Sequence, residues 1–208
     1  EEIRKYFAAP TEGLPQVEPL FSIHQMDPST FSGFIKSNRL FLHVTIGQED
    51  KFTLVTNEYA RPQTGAIITA KTKQGLIKLI AKNQEEIIKA YIKSEIKERQ
   101  RRTAISPLSI DSLKERFGLT IKMPSAYRIA HKGDDFYWIR KDLKKTGSTN
   151  ILIYEVPLNS ISSDSTALGE ILTIRDSIGG HHLPVEDNGR FGTDYSYSPN
   201  FYITELAG

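Results

Sequence analysis

The segment from about residue 74 to residue 102 constrains the fold more than any other. Leu76, Ile80, Ile87 and Tyr91, with Ile77, Ile88, Ile92 and Ile96, return at spacings of three and four. That period puts them on one broad face of an α-helix. Lys and Glu fill the opposite face, and Pro107 stops any continuation. A helix greasy along one side needs a sheet or another helix to lie on. The chain upstream supplies a sheet. Leu40, Leu42, Val44 and Ile46 alternate with Phe41, His43 and Thr45, and a turn over 47–50 leads to Phe52, Leu54 and Thr56. A third strand is expected over 66–70, centred on Ile67 and Ile68. Pro62 cannot donate to a ladder, so Tyr59-Ala60-Arg61-Pro62-Gln63 is expected to be a bend or a sheet edge.

Around this core sit weaker signals. Glu2 to Phe7 reads as the last turns of a helix whose start is missing. Pro10 to Pro19, with Gly13 and Pro15 between, reads as an extended connector. Asp27-Pro28 is a good helix start, and Phe31, Phe34 and Ile35 fall at helical spacing, so a helix is expected as far as Asn38.

A second lobe is expected from residue 105. Asp111 to Phe117 reads as a helix with Gly118 just past its end. Strands are expected over 119–123, 127–130, 136–139 and 151–156, with a polar linker over 144–148. A last helix over 164–178 carries Leu168, Ile171, Leu172, Arg175 and Ile178 on one side, and Gly179-Gly180 is expected to end it. Hairpin-linked strands followed by one covering helix suggest antiparallel sheets with helices on one face. The expected fold is therefore α+β, in two lobes, 1–104 and 105–208, each a mainly antiparallel sheet covered by amphipathic helices.

Bulk composition narrows the function classes. The 208 residues are enough to bury a core. With 27 basic and 25 acidic side chains, the formal charge of +2 calls for no polyanionic partner, and nucleic acid is not expected. Absence of cysteine removes disulfides, thiolate metal sites and cysteine nucleophiles together. No stretch approaches the roughly 20 apolar residues that span a bilayer. Phosphate-binding glycine loops, dinucleotide fingerprints and the Gly-x-Ser-x-Gly elbow are all missing. No cofactor is implied.

Four strings in order carry a resemblance. They are Gly13-Leu14-Pro15-Gln16 with Glu18-Pro19-Leu20-Phe21, then Tyr59-Ala60-Arg61-Pro62-Gln63, then Asp134-Asp135-Phe136-Tyr137-Trp138-Ile139-Arg140, then Arg175-Asp176-Ser177. Together they resemble an uncharacterised family of Bacteroidota envelope lipoproteins catalogued as a domain of unknown function. The resemblance implies a longer chain, tethered through an upstream lipidated cysteine and continuing past Gly208. It implies a place in the cell envelope, on the periplasmic face or the surface of the outer membrane. It transfers no activity and no catalytic residue.

Four groups of residues are candidates for function. His181 and His182, followed by Glu186, Asp187 and Asp194, offer two imidazoles and three carboxylates to a divalent metal, although the spacing matches no helical or hairpin motif. The basic end of the long helix, Lys93 to Arg102, holds Lys97, Arg99, Arg101 and Arg102. Cations there complement the helix dipole by about 0.3–1 kcal/mol each, and could also meet lipid headgroups or an acidic protein. The aromatics Phe191, Tyr195, Tyr197, Phe201 and Tyr202 could stack on sugars or a peptide, or simply face inward on strands. Arg61 and Gln63, pinned by Pro62, could meet a partner at a sheet edge or tie the bend to its own unit. The expected function is a non-enzymatic binding or accessory subunit of an envelope assembly, with other envelope proteins as partners. The alternative is an envelope enzyme or ligand-binding protein acting on glycan or peptidoglycan.

Overall fold

In a computed structural model the residues described are 1–14, 16–144, 147–185, 189 and 191–197. The chain is α+β and falls into two compact units, Glu1–Arg102 and Thr103–Gly208. Each unit has a three-stranded sheet and its own apolar core.

The first unit contains α1 (Glu2–Phe7), β1 (Leu40–Ile46), β2 (Lys51–Thr56), β3 (Thr64–Ala70) and α2 (Lys73–Ile105). Its strand order is β1-β3-β2, with β1 parallel and β2 antiparallel to β3. The expected β1–β2 hairpin is therefore absent. The 47–50 turn instead arches over the end of β3. Gly47 N–H donates to the Ala70 carbonyl at 3.0 Å, and Lys71 N–H donates to Asp50 Oδ1 at 2.8 Å. The reason lies in composition. β1 and β2 carry Thr or His on one face, whereas β3 (Thr-Gly-Ala-Ile-Ile-Thr-Ala) is small or apolar on both faces and takes the central place.

One face of this sheet packs on α2. Ala66, Ile68 and Ile87 are fully shielded at its centre, with Ile80, Tyr91 and Phe7 around them. The Tyr91 hydroxyl donates to the Phe41 carbonyl, and burial pushes its ionisation well above the ordinary phenol range. Phe21 meets the Tyr91 ring edge-on at 5.8 Å. The Pro10–Pro19 stretch is not the expected extended connector. It doubles back, with Thr11 N–H donating to the Glu18 carbonyl at 2.8 Å and Phe21 N–H to the Phe7 carbonyl at 2.9 Å. Residues 28–38 are not one helix either. Two 3-10 turns, Pro28–Thr30 and Gly33–Ser37, are separated at Phe31-Ser32. Asp27 does cap, accepting from Ser29 N–H at 2.9 Å, but Gly33 takes φ +55 and Phe31 turns back onto the sheet.

The second unit contains α3 (Asp111–Phe117), β4 (Arg128–Lys132), β5 (Phe136–Leu143), β6 (Gly147–Tyr154) and α4 (Ala167–His182). Its sheet is an antiparallel meander, β4-β5-β6. The residues expected as linker at 147–148 are the start of β6, paired with Leu143 and Asp142. Leu119 to Met123 makes no ladder. Among the described residues it is held by one bridge, Pro107 to Pro124, and by Leu108 N–H donating to the Met123 carbonyl at 2.8 Å. Prolines at both ends of that pairing remove the donors a strand needs. Gly118 does cap α3 in the left-handed conformation. Tyr137 and Ile139 face a core with Ile110, Leu113 and Met123, and Phe117 meets the Tyr137 ring edge-on at 5.5 Å. Trp138 lies on the other face, where its indole N–H donates to Asn150 Oδ1 at 2.9 Å.

Candidate functional site

Gly179-Gly180 does not end α4, which runs on to His182. A Cβ on Gly179 would fall inside the ring of Phe191, so the glycine is there to let that ring lie against the helix. Arg175 stacks over the same ring at 5.2 Å. Asp176 accepts from Thr193 N–H at 2.9 Å and from the Thr193 hydroxyl at 2.8 Å, and Arg175 also donates to Thr193. The Arg175-Asp176 pair and Gly179 thus form a clasp for residues 191–193. Phe191 is a packing residue, not a free stacking platform.

His181 and His182 sit beside each other at the end of α4. The His182 ring stacks flat on Phe136, centroids 3.8 Å apart. His181 stands edge-on to it at 4.7 Å, and His131 from β4 lies 6.3 Å away. Burial, then the neighbouring His181, lowers the His182 pKa. Among the described residues no three His or carboxylate side chains are placed to hold an ion. Asp187 and Glu186 lie outside the described residues, as do Phe201 and Tyr202. Asp194 accepts from Ser196 N–H at 2.9 Å, which lowers its pKa. Tyr195 and Tyr197 are exposed, at 71% and 49%.

Gln63 is 3% exposed. Its amide NH2 donates to the carbonyls of Lys36 and Asn38 at 2.6 and 2.7 Å, and its oxygen accepts from Tyr59 N–H at 2.8 Å. It fastens the 57–63 turn to the 33–38 turn inside its own unit and offers nothing outward. Arg61, preceding Pro62 through a cis peptide, is exposed. The two turns that Gln63 joins carry an aromatic group on the outer face of β1. A Cβ on Gly65 of β3 would fall inside the Phe41 ring, which lies over it. Phe31 packs on Phe41 at 5.6 Å, and Tyr59 packs on Phe31 at 5.5 Å and on Phe41 at 5.6 Å. Lys36 Nζ sits 5.0 Å over the Tyr59 ring. Within this group Tyr59 is 42% exposed, and Phe34, in the same turn as Lys36, is 86% exposed. The sequence nominated neither; the signal available was three aromatics and a lysine in the turns flanking β1.

On α2, Glu98 is buried and clamped by Arg101 (2.8 Å) and Arg102 (2.6 Å). Those guanidinium groups hold its carboxyl at about 2. Glu95 pairs with Arg39 through two bonds of 2.9 and 2.7 Å, which lowers its pKa. Two of the four nominated cations, Arg101 and Arg102, are therefore engaged within the helix. Lys97 and Arg99 are exposed, and Ile92 and Ile96 lie open beside Lys97. At the start of α4 an open groove of about 550 Å³ is lined by Ser160, Ser165, Thr166, Glu170 and Thr173. Its one carboxylate, Glu170, accepts from Ser162 N–H at 2.6 Å and from the Ser162 hydroxyl at 2.8 Å.

Residues 1–104 match the family model described as Domain of unknown function (DUF8532). The chain belongs to the DUF8532 family. Residues 106–208 match a second model, described as Domain of unknown function (DUF4837). Searches among curated proteins and solved structures found no match. In this DUF8532 chain the junction between the two matches falls at the last residue of α2, Ile105. Among the described residues no helix is long and apolar enough to cross a membrane.

Proposed function

We propose that this chain is a non-enzymatic binding or accessory subunit of a cell-envelope protein assembly, carried at the outer membrane as a lipoprotein of a Bacteroidota-type envelope. The envelope location rests on the four strings described above. The binding role rests on one observation: Phe34, 86% exposed, belongs to the Gly33–Ser37 turn, whose Lys36 sits over the Phe31 and Tyr59 rings. An exposed aromatic on a turn that also presents a cation is the chemistry of a protein-binding anchor. The engagement of several buried or groove-lining polar side chains supports the same reading. Gln63, Glu98, Glu170 and Asp176 each have fold-internal partners.

The test is copurification of the full-length, lipidated protein from solubilised envelopes. The reading expects a stoichiometric protein partner that Phe34→Ser releases. A wild-type protein that runs as a lone monomer, with nothing enriched, ends it.

A further inference from the structure

Apart from the aromatic group, the first unit exposes a second surface of different character. Ile88, Ile92 and Ile96 form a row along α2 at a spacing of four. Ile88 is half-buried, and Ile92 and Ile96 are 37% and 51% exposed. Each is followed at once by a lysine: Lys89, Lys93 and Lys97, all exposed. Eight residues of helix make the isoleucine row about 12 Å long, turning through about 80° as it goes. The lysine row runs beside it, about 100° further round the helix.

The charge on this stretch is one-sided. Between Ile87 and Lys97 the sole carboxylate is Glu95, and Arg39 holds it in a two-bond pair. Glu85 lies a turn before the row and is the one acidic side chain lining it. The strands opposite are six and seven residues long, roughly 20–24 Å. The 33-residue α2 is about 50 Å. The isoleucine row nevertheless lies along a stretch of α2 that meets the sheet: Ile88 packs on the core, Ser94 accepts from the Thr64 hydroxyl at 3.0 Å, and Glu95 pairs with Arg39.

The surface is a ridge, not a groove: every residue lining it, from Gln84 to Gln100, belongs to α2. Three lysines border the row against one lining carboxylate, Glu85, so the surface it meets is negatively charged. Apolar side chains facing a plane, with lysines at the shoulder whose ammonium groups reach back to it, is the arrangement of an interfacial helix on anionic lipid. We infer that the Ile88-Ile92-Ile96 ridge with Lys89, Lys93 and Lys97 is a contact face for an anionic lipid headgroup surface. This is separate from the protein-binding reading and can fail without it.

The experiment is flotation of the full chain with vesicles of 30 mol% phosphatidylglycerol in phosphatidylcholine, against phosphatidylcholine alone. Binding is expected to the first at 50 mM NaCl and not to the second, weakening at least about tenfold at 500 mM. Neutralising all three lysines (Lys89→Gln, Lys93→Gln, Lys97→Gln) should weaken it about a hundredfold. Ile92→Asn with Ile96→Asn should abolish it, with an unchanged melting curve because both positions are exposed. As a reporter that needs no loss of function, Ile96→Trp in a Trp138→Phe background should shift its emission to the blue on the anionic vesicles alone. Three outcomes overturn the inference: no binding at low salt, binding that survives the isoleucine pair, or an Ile96→Trp emission that does not move. Binding of a Leu/Glu amphipathic peptide to the ridge, with vesicles ignored, would also overturn it by putting an acidic protein there.

Discussion

The two units place an aromatic ring where a glycine has no side chain, and they do so for opposite ends. In the first, Phe41 lies over Gly65 of the neighbouring strand, its ladder partner. In the second, Phe191 lies over Gly179 of a helix, and the ring comes from a segment beyond that helix. The first contact builds the outer face of a sheet; the second clasps a passing stretch of chain. The units also differ in how their sheets close. The first inserts its third strand between the first two, and a long helix covers it. The second is a plain meander in which each strand pairs with the next. A glycine in one unit is therefore part of the sheet itself, and in the other serves a peripheral attachment.

That difference sets the order of expected effects. Core truncations should be the largest. Ile87→Ala and Ile139→Ala each remove a fully shielded side chain and should cost about 2–5 kcal/mol, each in its own unit. Hydrogen exchange resolved by residue should show Ile87→Ala loosening β3 and α2, and Ile139→Ala loosening β5 and α3. Equal loosening of both units by either variant would break the comparison. Next, Gln63→Ala strands two carbonyls and an N–H that are now paired, and should lower stability of the first unit by about 1–3 kcal/mol in urea titration. Gly65→Ala should cost about 1–3 kcal/mol, because Phe41 is hemmed in by Phe31 and Tyr59. Gly179→Ala should barely move the urea midpoint, since alanine favours the helix by about 1 kcal/mol, but should expose residues 191–193 to limited proteolysis. If Gly179→Ala unfolds the second unit as a whole, the clasp is part of its core.

The smallest effect is electrostatic. In the folded chain Arg101 and Arg102 hold Glu98 ionised down to about 2. A carboxylate with a lowered pKa contributes stability above its ordinary range and loses it as pH falls from there toward 2. Between pH 7 and pH 3 the wild type should therefore lose more stability than Glu98→Gln, measured by thermal melting at each pH.

Elements set by local pattern were legible in the sequence. The long helix, the three strands before it, the Asp111 to Phe117 helix with its Gly118 cap, and the α+β class all follow from periodicity and punctuation. What was not legible depends on partners far away in sequence. Gly179-Gly180 has the look of a stop until Phe191, twelve residues on, is seen to need the space. The position of β3 between β1 and β2 is a global outcome, hinted at only by its two-sided apolar content. Gln63 looked like an outward-facing edge residue because nothing local shows that Lys36 and Asn38 present carbonyls to it. The aromatic group on β1 was invisible for the same reason, as its rings come from three separate segments. His181 and His182 were nominated on adjacency, and the structure gives His182 an aromatic neighbour, Phe136, that adjacency could not reveal.

Gln63, Arg101 and Arg102 are engaged in holding the fold, and function is proposed to rest on exposed side chains around Phe34. The most direct measurement is quantitative copurification of full-length wild type, Phe34→Ser and a Tyr195→Ser control from the same envelopes. The account predicts one partner, abundant with wild type and the control and lost with Phe34→Ser at unchanged melting temperature. An undiminished partner with Phe34→Ser, or none with wild type, would contradict it.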